Sequence, residues 1–210
     1  MAYDDEVKKV VPSVFNMISS SEDHQQSEEA YNTGSFELPN PAGKQGGACT
    51  SAFLQQQYEN GNQQTWVETL QQMRAVLKGM GFQQSPTLSS SRRIRAESPM
   101  QIVPPGSGRR RALLIGINYV GQKGELKACH NDCNNVREYL ENVHGFRQEE
   151  MLILMDDGRH PMPTKKNIED GMMMLTQYSQ PGDVVFVSFS GHGGNTEDLD
   201  GDEDDGWDET

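Results

Sequence analysis

The sequence predicts an α/β fold: a central, mainly parallel sheet flanked by helices on both faces. Two observations predict it. Residues 111–119, "RALLIGINY", 150–157, "EMLILMDD", and 183–191, "DVVFVSFSG", are near-continuous apolar runs of strand length. Between them lie two stretches with helical periodicity. Strands that are apolar on both sides, alternating with helices, belong to parallel sheets covered on both faces.

The elements follow in order. In "SVFNMIS" the pattern allows a strand, and "GGACTSAFLQQQYEN" reads as a short helix. "TWVETLQQMRAVLKGMG" is a better one. Thr65 and Glu68 fit a capping box, Trp66, Leu70, Met73, Leu77 and Met80 form a stripe, and Gly79 or Gly81 can end it. "SPTLSSS" is a candidate strand. The polar stretch 19–45 reads as loop. In the second half, Leu126, Cys129, Cys133, Val136, Leu140 and Val143 recur at spacings of three and four, and Gly145 suits the helix end. Thr164 is the expected N-cap of the next helix, with Ile168, Met172, Leu175 and Tyr178 on one face. The chain divides into residues 1–91, a Ser/Pro/Gly/Arg linker at 92–110 expected to be exposed and flexible, and residues 111–210.

Charge excludes some functions. Of 31 acidic residues, nine lie within 197–209, leaving 22 against 18 basic ones elsewhere. That balance disfavours nucleic-acid binding and makes a cation the natural partner of the acidic segment. The segment is no EF-hand loop, because Glu203 or Asp205 falls where that loop requires glycine. Three cysteines, no apolar signal region and no apolar run of membrane-spanning length point to a soluble, cytoplasmic, thiol-containing protein with no membrane partner.

His192 stands between glycines where the third strand ends, and sites in such sheets form at the carboxyl ends of strands. Open backbone on both sides suits a general base near neutral pH. Asp132 lies in the first turn of a helix, where the helix dipole favours a carboxylate. Cys49, Cys129 and Cys133 lie on predicted helices, where cysteine usually behaves as a small hydrophobe. Cys129, at a helix start, is the one where a helix N-terminus can stabilise a thiolate, and a redox or regulatory role is considered for it.

"RRRALLIGINY", "LKACHNDCNNVREYL" and "VVFVSFSGHGG", in this order and spacing, resemble the large-subunit half of a metacaspase, a caspase-fold cysteine peptidase of family C14. "ISSSEDHQQS", "GGACTSAFL", "TWVETLQQMRAVL" and "SPTLSSS" resemble that family's small-subunit region, here placed first, as in type III metacaspases. The family's cysteine position in that region is Ser21, its threonine position Gln26 and its second aspartate position Glu29, while Asp23, Gln25 and Ser27 are kept.

The resemblance implies a caspase-like sandwich and calcium-activated cleavage of protein and peptide substrates after Arg or Lys. It implies that His192 is the dyad histidine, that Asp132 and Ser190 line the S1 pocket with Asp23 contributing from the other half, and that Asp208 is a Ca²⁺ ligand. The nucleophilic cysteine of the family sits on the next strand, and no position here matches it. The expectation is therefore a large-subunit region lacking that strand, with no strand after residue 194 and an incomplete calcium site. The resemblance also implies a nearby substrate: Arg92, Arg93, Arg95, Arg109, Arg110 and Arg111 become candidate autocleavage positions. The competing reading is a non-catalytic caspase-fold protein that binds and regulates an active relative.

Overall fold

The computed structural model describes residues 7–22, 25–197 and 207–209. The elements that organise it are β1 (Asn16–Ser19), β2 (Glu29–Ala30), β3 (Gly46–Gly47), α1 (Ala48–Asn60), α2 (Trp66–Gly79), β4 (Thr87–Ser90), β5 (Arg110–Gly116), α3 (Cys129–His144), β6 (Met151–Met155), α4 (Lys165–Tyr178) and β7 (Val184–Ser190). A further ribbon, β8 (Asn195–Glu197) and β9 (Trp207–Glu209), follows.

The three apolar runs form one parallel sheet in the order β6-β5-β7. β5 is central and every residue from Arg111 to Gly116 is buried. Its alternate side chains feed two cores. Ala112 and Leu114 join Cys133, Val136, Tyr139 and Leu140 of α3, together with Ala48, Ala52 and Leu54 of α1 and Met73 and Leu77 of α2. Leu113 and Ile115 join Leu154, Leu175 and Ile168 on the α4 side. The parallel sheet with helices on both faces is the α/β arrangement that the sequence predicts.

One core thus draws on both ends of the sequence. At roughly 1.5–3 kcal/mol for each fully buried Leu, Met or Phe, it ties the two halves into one unit. The polar stretch 19–45 contributes to it, with Ala30, Phe36 and Leu38 buried. Each is an isolated apolar residue among polar ones, a pattern with no period. Locally, Thr65 and Glu68 form the expected capping box, and the Thr164 hydroxyl accepts from Asn167 N–H. β1 and β4 pair antiparallel, with Ile18 opposite Leu88.

Four expectations are corrected. Residues 92–110 are not wholly exposed: Met100 is buried, and Ile102 and Val103 pack against the main core. Arg110 and Arg111 belong to β5, and Arg111 is buried in ion pairs with Glu150 and Asp183. The helical stripes are narrower than the spacing implies. Met80, Val143, Met172 and Tyr178 are exposed, while Asp132, Asn135, Tyr139 and His144 are buried because α3 is covered by α1 as well as by the sheet. Strands do follow residue 194: β8 and β9 pair antiparallel, Thr196 opposite Asp208.

β7 pairs with β5 on one side only among the described residues, and α4 leaves its outer face bare. Val185, Val187 and Phe189 are exposed on the face that bears Leu113 and Ile115. An open apolar edge pairs with other chains. The 210-residue chain is therefore expected to self-associate at micromolar concentration, and Val187→Lys to shift it towards monomer in sedimentation velocity. A wild-type chain that sediments as a monomer would contradict this.

Candidate active site

The carboxyl ends of β5, β6 and β7 and the N-terminus of α3 meet at one edge of the sheet. Asp132, in the first turn of α3, is buried there. One carboxylate oxygen accepts from Gly47 N–H at 2.8 Å and the other from the Ser190 hydroxyl at 3.2 Å. Thr50 also donates to it. Gly47 and Thr50 come from the first half of the chain and Ser190 ends β7, so both halves supply its donors.

Burial pushes the Asp132 carboxyl up to about 7, against the hydrogen bonds from Gly47, Ser190 and Thr50 that favour its charge. The neighbouring charge of Glu29 raises it further. No Lys, Arg or His among the described residues pairs with Asp132. Such a group lacks one thing, a buried cation.

The glycines of "GGACTS" follow from this approach. A Cβ at Gly47 would stand 2.4 Å from an Asp132 oxygen, and one at Gly46 2.6 Å from the Thr33 methyl. Gly47→Ala is therefore expected to cost about 1–3 kcal/mol through overpacking, read as a lower urea midpoint at unchanged m-value. An unchanged midpoint would show that the carboxylate moves aside freely.

His192 is exposed beyond the end of β7. Its Nε2 lies 2.6 Å from the Gly124 carbonyl oxygen. A carbonyl only accepts, so Nε2 carries the proton and Nδ1 of the neutral ring holds the lone pair. The backbone N–H of His192 donates to the Tyr119 hydroxyl at 3.1 Å, and the two rings lie 4.7 Å apart at 38°. Tyr119 has φ +55°, and Gly124 φ +86°.

The other expected site residues are placed as follows. Ser190 and Asp132 come together, and His192 stands two residues after Ser190. Asp23 lies outside the described residues. Asp208 sits in β9 opposite Thr196. Among the described residues no three of His, Cys, Asp and Glu stand close enough to hold a metal ion, and residues 198–206, which carry most of the acidic segment, lie outside them.

Cys129 and Cys133 are buried in α3 and Cys49 is half-buried in α1. Burial and then the charge of Asp132 push the Cys49 and Cys129 thiols up to about 12 and raise Cys133 as well. At Cys129 the carboxylates of Glu29 and Asp156 add to the effects of burial and Asp132, against one backbone hydrogen bond that lowers the value. None of the three is poised as a nucleophile near neutral pH.

Three contributors escape a reading of the sequence, Tyr119, Gly124 and Asp156, and a fourth, Glu29, is marked there only by its place in the family's motif. Glu29 accepts from the backbone N–H of Lys127 and Ala128, capping the approach to α3 from 98 and 99 residues away. Its signal is non-local and no short-range pattern carries it.

Residues 110–210 match the family model described as metacaspase, peptidase C14 domain. The chain is 46% identical over 201 residues, 92% of its length, to Metacaspase III c of Phaeodactylum tricornutum. It is 55% identical over 105 residues, 49% of its length, to Metacaspase-1 of Emericella nidulans. The matches span 60% of the Phaeodactylum protein and 26% of the Emericella one, so the chain covers only part of the relatives it resembles. A solved structure, protein GSU0716 from Geobacter sulfurreducens, is 30% identical over 49% of this chain and 38% of its own, at a TM-score of 0.39.

Proposed function

From the match of residues 110–210 to the metacaspase, peptidase C14 domain, we propose that the chain carries the base and the specificity pocket of a calcium-activated cysteine endopeptidase that cleaves protein substrates after Arg or Lys. One observation carries the reading. Asp132 is a buried carboxylate with three hydrogen-bond donors and no cation among the described residues, beside the strand end that presents His192. A guanidinium or ammonium entering as the P1 side chain supplies the missing charge, and a planar fork matches a carboxylate best.

His192 works through Nδ1. It accepts the proton of a cysteine thiol brought to it by a segment other than Cys49, Cys129 or Cys133. The thiolate attacks the peptide carbonyl, and the proton passes to the departing amine, leaving a thioester. Water then attacks the thioester, and the acid product and free thiol are released. Asp208 and the acidic segment would supply oxygen ligands to the calcium ion.

The test uses a chimera in which the segment following the matched region of Metacaspase III c continues the chain beyond Thr210. Peptides with Arg at P1 should be cut and their citrulline counterparts spared, and calcium should accelerate cleavage. A chimera that folds and cleaves neither peptide would favour the second reading, a non-catalytic caspase-fold partner. That reading has one observation behind it: all three cysteines of this chain are held as neutral thiols.

The same pocket defines an intramolecular substrate, at high effective concentration. Arg93 and Arg95 are exposed in an irregular segment. Arg92 is pinned by its guanidinium to the carbonyls of Val11 and Pro12, and Arg110 and Arg111 lie within β5. Calcium added to the chimera should therefore produce new N-termini after Arg93 or Arg95, and none after Arg110 or Arg111. Since one core joins the halves, the pieces should co-elute. Cuts after Arg111 would mean that β5 opens before cleavage.

A further inference from the structure

The loop between β5 and α3 holds His192 at three points, and that loop is itself held by a residue of another strand. Asp156 follows β6. One of its oxygens accepts from Asn118 N–H at 2.8 Å and lies 2.6 Å from His130 Nε2, and the other accepts from Val120 N–H at 3.1 Å. Asn118 and Val120 flank Tyr119, which has φ +55°. A non-glycine residue pays about 1–2 kcal/mol for that conformation, so something must hold it there. A single carboxylate bridging the N–H groups on either side does so. His130 and these two N–H groups hold the Asp156 carboxyl below its usual range in spite of its burial.

We propose that Asp156 and Tyr119 are positioning residues for His192, with Asp156 clamping the turn that aims Tyr119 and Tyr119 fixing the backbone and ring of the histidine. The proposal rests on the reading of His192 as the base. The need for such a device is plain from the sequence. His192 sits among Gly191, Gly193 and Gly194, is exposed, and has no regular element to hold it. An imidazole on so free a backbone samples several rotamers, and each misplacement costs rate. The Tyr119 hydroxyl takes the His192 N–H, and the Tyr119 ring lies against the imidazole. A Cβ at Gly191 would stand 3.0 Å from the Phe189 ring and 3.3 Å from that hydroxyl, so glycine there leaves room for both. The two contacts fix the Cα and the ring of His192 relative to the Gly124 carbonyl, which then reads the Nε2 proton.

Tyr119→Phe keeps the ring and removes the acceptor. Asp156→Asn keeps the shape and removes one acceptor oxygen. Two measurements test the pair. In the 210-residue chain, Hα–Hβ couplings of His192 should report one χ1 rotamer in the wild type and averaged values in both variants, while the dispersion of the remaining amide signals persists. In the chimera, each variant should lower kcat about 10-fold with KM unchanged, and the double variant should lose no more than either alone, because both act through one turn. Couplings that stay at wild-type values in Tyr119→Phe would overturn the proposal, as would fully multiplicative losses in kcat. An inactive wild-type chimera would count against the peptidase reading instead, and the couplings would still decide the positioning role.

Discussion

His192→Ala in the chimera is expected to abolish cleavage of Arg peptides, lowering kcat by about 10⁴-fold or more. The Gly124 carbonyl, 2.6 Å from Nε2, assigns the proton to that side, so Nδ1 is the acceptor presented to an incoming thiol. Without it, a cysteine at neutral pH stays largely protonated, and the departing amine has no proton donor. Binding is made elsewhere, at Asp132, so KM should change little. A competing base would reveal itself as residual activity with a shifted pH profile. Activity within 10-fold of wild type would remove His192 from the chemistry and transfer the search to His130 or His160, each paired with an aspartate at the same edge.

Much of this arrangement is legible in the sequence, and the reasons divide by range. "RALLIG", "MLILM" and "VVFVSFS" are strands because a run of apolar residues is buried on both faces, a property of the local segment alone. Thr65, Glu68 and Thr164 declare helix starts because capping joins residues three apart. His192 and Asp132 are legible from a strand end and a helix start, Ser190 only through resemblance to a known motif, and the fold brings Asp132 and Ser190 into contact from positions 58 apart.

What the sequence hides is long-range or non-periodic. Glu29 accepts from the backbone just ahead of α3 across 98 and 99 residues, and Asp156 reaches Tyr119's neighbours across 36 and 38. Phe36 and Leu38 are core residues inside a polar stretch, with no repeat to announce them. Arg110 looks like the end of a basic linker by composition, and Arg111 like an exposed strand start. They enter β5 because Glu150 and Asp183 neutralise Arg111 within the sheet and the His144 carbonyl accepts from Arg110. Composition records charge and not its partner.

Asp132→Asn is expected to act in two directions at once. The carboxyl titrates near 7 in the folded chain and near 3.8 when unfolded. A folded value raised above the unfolded one contributes stability that is fully present below pH 3.8 and is lost as pH rises towards 7. The upward shift, largely the cost of burying the charge, is on the order of 4 kcal/mol at 1.36 kcal/mol per unit. Asparagine carries no charge. It still accepts from Gly47 N–H and can donate to the Ser190 and Thr50 hydroxyls. The variant should therefore match the wild type near pH 4 and exceed it by several kcal/mol at pH 8, read as a higher urea midpoint that no longer falls across this window. In the chimera the same change should lower kcat/KM for Arg and Lys peptides by about 10³-fold, since the guanidinium would then be buried without a partner. Cleavage after a neutral P1 residue should be untouched, and cuts at Arg93 and Arg95 should disappear. A variant that is more stable at pH 8 yet cleaves Arg peptides normally would separate the two roles and leave Asp132 a buried structural carboxyl. One that loses both stability and activity would show that the charged form is held by more hydrogen-bonding strength than burial takes away.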